Sequence, residues 1–131
     1  MLTDGLSERH LAMLRASAIT DGVIEARGYF TAKRKVELAD LGFSGQQQSV
    51  PALVIPVYAP HGEVVLYQAR PDQPRMRQGK VVKYETPSGA HMALDVPPAA
   101  RPLLGDPNVP LFLTEGVKIC SCAELYSPEV W

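Results

Sequence analysis

The sequence predicts an α+β fold, in which short N-terminal helices precede a small antiparallel β-hairpin sheet and the first strand of a further α/β unit. Residues 1–43 carry apolar positions at helical spacing, and residues 50–95 contain two strand-like runs around a turn. All 12 prolines follow residue 50, which indicates a loop-rich second part with short strands. The last strand is predicted in residues 110–131. We expect residues 1–131 to form a single domain, because this length suffices for one core.

The first predicted helix begins after Ser7, whose side chain can cap it, and runs to about residue 18. One largely apolar face of this helix is formed by His10, Leu11, Leu14 and Ala18. We interpret His10 as a core or helix-surface residue, because no second His or Cys stands at ligand spacing from it.

The second and third predicted helices are short, and each lies between a capping threonine and a glycine. Thr20 and Gly28 bound the second helix, and Thr31 and Gly42 bound the third. The third helix also carries a basic cluster that we interpret as a solvated face, formed by Lys33, Arg34 and Lys35.

A β-hairpin is predicted after the helical part. Residues 52–58 and 63–70 are the two strands, and Pro60, His61 and Gly62 form the turn between them. Pro56 inside the first strand indicates an edge position or a bulge, because proline cannot donate to a ladder. We expect His61 to be solvent-exposed at the turn and to have no catalytic role.

Residues 70–83 form the most basic stretch of the chain, and their prolines and glycine predict a loop. Five cations stand against one carboxylate there, a local excess of four positive charges: Arg70, Arg75, Arg77, Lys80 and Lys83 against Asp72. Lys and Arg neutralise phosphates, and an aromatic ring such as that of Tyr84 can stack on a base. The five cations and Tyr84 are therefore the candidate nucleic-acid-binding residues. A solvated surface loop with buried tyrosines is the alternative.

Residues 111–114 are a short apolar run with Pro110 in front and Glu115 and Gly116 behind. This pattern predicts a buried strand of a mostly parallel sheet, with the carboxylate at its C-terminal end, where open α/β sheets place their chemistry. Glu115 is therefore the candidate catalytic residue and metal ligand, either as a general acid/base or as a ligand of a divalent cation. A buried strand that ends in an ordinary turn is the alternative.

The composition and net charge indicate which classes of protein the chain can belong to. An apolar content of 46% with 21% charged residues indicates a globular chain, and a net charge of -1 gives no global attraction to nucleic acid or membranes. No apolar run approaches the length of a membrane span, and the N-terminus lacks the order of a signal peptide, so we expect a cytoplasmic protein without a membrane partner. Cys120 and Cys122 are expected to be reduced thiols.

The order of these parts resembles the N-terminal part of the polymerase domain of bacterial replicative primases, which leads into a Toprim domain. The chain is more similar still to a domain of unknown function in primase-like proteins of plasmids, phages and prophages. The motifs that carry the resemblance are Leu41-Gly42-Phe43, residues 51–56, residues 70–75, Lys83-Tyr84-Glu85 and residues 111–118.

The resemblance implies that residues 110–131 are the start of a Toprim-like α/β unit, truncated just after its Glu-Gly motif. A Toprim domain completes its metal site with a later Asp-x-Asp motif, and no such motif follows Glu115 in this sequence. One carboxylate can hardly hold the magnesium ions for nucleotidyl transfer. Glu115 is therefore expected to be a vestigial or split-site ligand, and the isolated chain to have no polymerase activity.

Three functions stay open at this point. The first is a module that binds single-stranded DNA, derived from a prophage primase-like protein and not catalytic alone. The second is the half-site of a split primase or nucleotidyltransferase, which would bind Mg²⁺ only if a partner supplied the missing Toprim half; a helicase is the other protein partner that the resemblance implies. The third is a small phage protein that acts through protein–protein contacts or as a homodimer, using an exposed strand edge and the apolar residues Leu125, Tyr126, Val130 and Trp131.

Overall fold

The computed structural model describes residues 5–114, and the predicted α+β class is confirmed there. Three helices stand beside a three-stranded antiparallel sheet and a separate two-stranded ribbon. The helices are α1 (Glu8–Ala16), α2 (Asp21–Arg27) and α3 (Lys35–Asp40). The strands are β1 (Phe30–Ala32), β2 (Ala52–Tyr58), β3 (Val64–Pro71), β4 (Met76–Arg77) and β5 (Lys80–Val81). Short 3-10 turns lie at Gly45–Gln47 and Arg101–Leu103.

The first two helices begin where the capping residues predict. The Ser7 side chain accepts a hydrogen bond from the backbone N–H of His10, and Thr20 does the same for Val23. Gly28 ends α2 in the left-handed conformation, with φ of 75°. The first helix is shorter than predicted, because it ends at Ala16. Ala18 lies beyond it with a positive φ of 62° and is exposed, so its place on the apolar face is wrong.

The predicted cap of the third helix is wrong, because Thr31 belongs to a strand. Thr31 lies in β1 and pairs with Leu53 of β2. The helix begins instead after Arg34, where the Glu37 carboxylate accepts the backbone N–H groups of Lys33 and Arg34. A three-residue strand is too short to show an alternating pattern, so the sequence shows no signal for β1.

The predicted hairpin is confirmed as β2 and β3, and β2 is the central strand of the sheet order β1-β2-β3. Pro56 faces Tyr67 of β3, while the pairing with β1 stops at Val54. Proline therefore occupies a part of β2 that has no β1 neighbour, and the register shift predicted as a bulge follows between Val57 and Tyr58. His61 is exposed at the turn, as expected, with its side chain 62% exposed.

The core lies on both faces of β2, which explains the continuous apolar run in this strand. On one face Leu53 and Ile55 pack with the helices α1 and α2, and on the other Ala52 and Val54 pack with α3 and β3. The first cluster is completed by Leu6, Leu11, Leu14, Ile19, Ile24 and Tyr29. The second is completed by Ala32, Leu38, Phe43 and Ala69. Alternate residues of a strand point to opposite faces, so both layers are held by one central element.

The strand predicted at residues 111–114 is wrong. These residues form no strand, and Leu111 and Leu113 are 72% and 81% exposed. Strand preference depends on packing against neighbouring strands, and within residues 5–114 none pairs with this run. Glu115, Cys120 and Cys122 lie outside the described residues. The longest helix of the described part has nine residues, and none there combines the length and apolar character that a bilayer crossing requires.

Candidate nucleic-acid interface

The basic stretch after β3 contains a short two-stranded ribbon where a loop was predicted. Arg77 in β4 pairs with Lys80 in β5, and both side chains are exposed. Gln78 and Gly79 connect them with φ of 51° and 77°, which is the left-handed pair that a tight two-residue hairpin turn requires. We call β4 and β5 with this turn, residues 76–81, the basic ribbon. Arg77 and Lys80, two of the residues predicted to contact phosphates, therefore lie side by side next to the turn of the ribbon.

Arg75 has a different environment from the other candidate cations, because it is paired with a buried carboxylate. Its Nε lies 2.7 Å from Oε2 of Glu85, and its Nη2 lies 3.1 Å from Oε1. These hydrogen bonds raise the pKa of Arg75 above its ordinary value. Glu85 is only 3% exposed and exchanges both backbone hydrogen bonds with Ala69 of β3. The ion pair therefore fastens the start of the basic ribbon to the sheet.

The same carboxylate is joined to the linker before β2 through Gln47, which is 5% exposed. The Gln47 amide nitrogen donates to the carbonyl of Thr86 at 2.6 Å and to Oε1 of Glu85 at 3.4 Å. Its amide oxygen accepts the backbone N–H groups of Ser44 and Ser88. A glutamine with all these partners fixes the segment that follows the basic ribbon.

Arg70 and Tyr84 form a stacked pair beside the basic ribbon. The guanidinium carbon of Arg70 lies 5.6 Å from the centre of the Tyr84 ring, a cation–π distance. Tyr84 is 37% exposed, so the pair is reached by solvent. Planar guanidinium and phenol groups held in this way are suited to contact with the flat face of a base.

A cleft lies between α1 and the end of β3, with a volume of about 160 Å³. Its lining carries three positive charges and one negative charge, from Arg9, Arg70, Lys83 and Asp72. The rest of the lining is apolar: Met13, Pro71, Pro74 and Val81. We call this the basic cleft. Arg9 was missed by the sequence analysis, because it stands on a solvated helix face about sixty positions before the other cations.

The basic cleft is anchored to the core through His10. Its Nε2 lies 2.6 Å from Oδ1 of Asp72, and its Nδ1 lies 2.7 Å from Oγ1 of Thr31. His10 is 1% exposed, so of the two positions predicted for it, core or helix surface, the core position is the one observed. Arg9 approaches the other oxygen of Asp72 at 3.7 Å. These contacts hold α1 against β3 and place Arg9 at the mouth of the basic cleft.

A second buried ion pair, Arg27 with Asp95, lies away from the basic cleft and was also missed. Arg27 Nη2 donates to Asp95 at 2.9 Å and to the carbonyl of Pro56 at 3.0 Å. Asp95 also accepts the backbone N–H of Tyr58, and burial raises the pKa of the Tyr58 hydroxyl. This cluster ties the proline-rich connector, which follows residue 94, to the end of β2.

Within residues 5–114, no three His, Cys, Asp or Glu side chains come together as metal ligands. Glu115, the predicted ligand, lies outside that range. Carboxylate oxygens are the protein ligands that Mg²⁺ prefers, and those of Asp72, Glu85 and Asp95 are each taken up by cationic or histidine partners.

Comparison with known proteins found no matching family model, no curated relative and no solved structure of significant similarity. The resemblance to primase-like proteins therefore stays a prediction from the motifs.

Proposed function

We propose that the chain is a nucleic-acid-binding module whose ligand is single-stranded DNA. The observation that carries this proposal is the gathering of cations, all but Arg70 of them exposed, around the basic cleft and the basic ribbon. Arg77 and Lys80 extend from the ribbon, Lys83 and Arg70 line the cleft beside it, and Arg9 joins them from α1. Among the described residues, Arg77, Lys80 and Lys83 form no ion pair with a carboxylate.

The proposal assigns a different role to Arg75 from that of its neighbours. Its bonds to Glu85 occupy the guanidinium on the protein side, so we infer that it positions the basic ribbon. Arg77, Lys80 and Lys83 then neutralise successive phosphates, while Arg70 and Tyr84 offer a stacking surface for a base. A single strand suits this arrangement because its bases are free to stack, whereas those of a duplex are paired.

The primase-like resemblance supports the same ligand and a cytoplasmic location. In that interpretation the chain is the DNA-holding arm of a prophage primase-like protein. Any magnesium-dependent synthesis would need a second polypeptide that supplies the Toprim Asp-x-Asp strand. Adding such a polypeptide and measuring primer synthesis tests this split-site proposal, and an unchanged background rate would contradict it.

The test of DNA binding is fluorescence anisotropy of a labelled oligothymidylate of about 16 nucleotides, titrated from about 50 to about 200 mM salt. The test variant is Arg77→Gln/Lys80→Gln/Lys83→Gln. The control is Lys33→Gln/Arg34→Gln/Lys35→Gln, which removes the same charge from an exposed cluster elsewhere. Each lost phosphate contact lowers the slope of log K against log salt by about 0.7 for single strands, so the test variant should lose about 2 from the slope.

The two variants carry the same net charge, so the comparison separates a local surface from a general charge effect. The control should keep the slope of the unmodified chain. Equal slopes for the test variant and the control would show that Arg77, Lys80 and Lys83 make no phosphate contacts and would remove the basis of the proposal.

A second proposed function, protein–protein interaction, is favoured by an apolar groove on the connector. The groove has a volume of about 300 Å³ and is bordered by residues 94–97, 103–106 and 109–113. Leu94 is 72% exposed, and Leu113 is 81% exposed. Apolar side chains exposed together mark contact surfaces in many proteins. Light scattering over a concentration series, together with affinity capture, tests this function, and a strictly monomeric chain that captures no protein would contradict it.

A further inference from the structure

We propose that the basic cleft is a site for a terminal phosphomonoester, the phosphorylated end of a single DNA strand. This inference rests on the proposed function and deepens it, because it separates two parts of the surface. The basic ribbon would follow phosphodiesters along the strand, while the basic cleft would receive the one phosphate that carries a second negative charge.

The charge of the cleft is the first argument. Arg9, Arg70 and Lys83 outnumber Asp72, so the lining has a net charge of +2. A phosphodiester carries one negative charge, whereas a phosphomonoester carries about -1.5 to -2 at neutral pH. The lining therefore matches the charge of a strand end more closely than the charge of an internal phosphate.

The carboxylate in the cleft is held on the protein side by contacts to both of its oxygens. Oδ1 of Asp72 lies 2.6 Å from Nε2 of His10, and Oδ2 lies 3.7 Å from Nη1 of Arg9. The Asp72 side chain is 14% exposed, and its contact with Arg9 keeps that arginine beside the cleft. We infer that Asp72 and His10 are positioning residues for the arginine.

The shape of the cleft is the second argument. The cleft has a volume of about 160 Å³, which leaves room for a phosphate with bound water. The apolar part of the lining, Met13, Pro71, Pro74 and Val81, would border the sugar that follows the phosphate. Arg70 stacks on Tyr84, so the first base has a flat surface beside the bound phosphate.

The experiment compares three oligothymidylates of equal length: one with a 5′-phosphate, one with a 3′-phosphate, and one with hydroxyl groups at both ends. The label is placed at an internal thymine, so that neither end is blocked. Thymidine 5′-monophosphate and thymidine are titrated separately by calorimetry. We expect either the 5′-phosphorylated or the 3′-phosphorylated oligonucleotide to bind about tenfold more tightly than the one with hydroxyl groups at both ends. One more charge-assisted contact would produce a difference of this size.

Arg9→Gln is the variant that locates the site, because Arg9 lies outside the basic ribbon and its side chain is 73% exposed. It should reduce the preference for the phosphorylated end to about onefold, while Lys35→Gln, an exposed charge elsewhere, should keep the preference. Thermal unfolding of both variants checks that the fold is retained.

The inference is overturned if phosphorylated and hydroxyl oligonucleotides bind equally and thymidine monophosphate binds no better than thymidine. It is also overturned if Arg9→Gln keeps the full preference. Either result can occur while Arg77→Gln/Lys80→Gln/Lys83→Gln still lowers the salt slope, in which case the DNA-binding function stands without an end site. If thymidine monophosphate binds in an Arg9-dependent way but no oligonucleotide binds, the cleft is a phosphomonoester site and the DNA-binding proposal fails.

Discussion

Replacement of Asp95 by alanine should destabilise the protein strongly, because it removes a carboxylate partner of a fully buried guanidinium. Arg27 is 0% exposed and Asp95 is 10% exposed. Nη2 of Arg27 lies 2.9 Å from Oδ1 of Asp95, and the same oxygen accepts the Tyr58 backbone N–H at 3.0 Å. Asp95→Ala therefore removes a charge pair and a backbone acceptor together.

The expected loss follows from the burial of the remaining charge. Removing one partner of a buried ion pair costs about 3–5 kcal/mol, whereas exposed pairs contribute about 0–1 kcal/mol. For a domain of this size, each kcal/mol lowers the melting temperature by roughly 3 °C, so we expect a decrease of roughly 10–15 °C. Asp95→Asn should lower the free energy of unfolding less, because the amide oxygen can still accept a hydrogen bond from the Tyr58 N–H.

The assay is urea unfolding followed by circular dichroism, with hydrogen exchange at the Tyr58 and Val96 amides as a local readout. The Val96 N–H donates to the carbonyl of Tyr58, so it reports whether the connector stays attached to β2. Asp40→Ala, an exposed aspartate at the end of α3, is the control and should change the unfolding free energy by less than about 0.5 kcal/mol. A loss below about 1 kcal/mol for Asp95→Ala would refute the assignment of this ion pair as a buried anchor.

Two further predictions concern the core and the acid range. Leu14→Ala should lower the unfolding free energy by about 2–5 kcal/mol in urea titrations, because Leu14 is 1% exposed, whereas Val36→Ala at a 51% exposed position should change little. The hydrogen bonds from the backbone N–H of Arg34, and then of Lys33, lower the pKa of Glu37 below its ordinary value. When the pKa of a carboxyl group is lower in the folded state than in the unfolded state, its ionised form stabilises the fold at pH values above the unfolded pKa. This contribution is lost as the pH falls through the folded pKa. The stability difference between the unmodified chain and Glu37→Gln should therefore shrink from about pH 6 to about pH 3, and a constant difference would contradict the capping role.

Local features were predictable because their physical causes lie within a few residues. Ser7 and Thr20 cap helices through bonds to backbone groups three positions later, and Gly28 ends α2 by its own conformational freedom. The β2–β3 hairpin follows from two apolar runs separated by a short turn. The α+β class depends on these elements alone.

Other features were decided by contacts between distant parts of the chain. Residues 111–114 have strand-like composition, yet they form no strand, because a strand also needs a neighbour to accept its hydrogen bonds. Conversely, residues 30–32 became β1 because β2 offered its free edge to them. The composition of a segment indicates how well it would fit into a sheet. Whether a neighbouring strand has a free edge to pair with it is determined only by the assembled fold.

The candidate site divides in the same way. The basic segment that follows the hairpin, with Tyr84 at its end, is evident from the order of residues. Which of its cations are available depends on the packed fold, because Glu85 pairs with Arg75 while Lys83 lines the basic cleft. The packed fold also adds Arg9, since His10 bonds to Asp72 across 62 positions of sequence. The order of charged residues along the chain predicts which charges a surface carries. Which of these side chains form ion pairs, and which come together at one site, depends on distances that are set only when the sheet and helices pack.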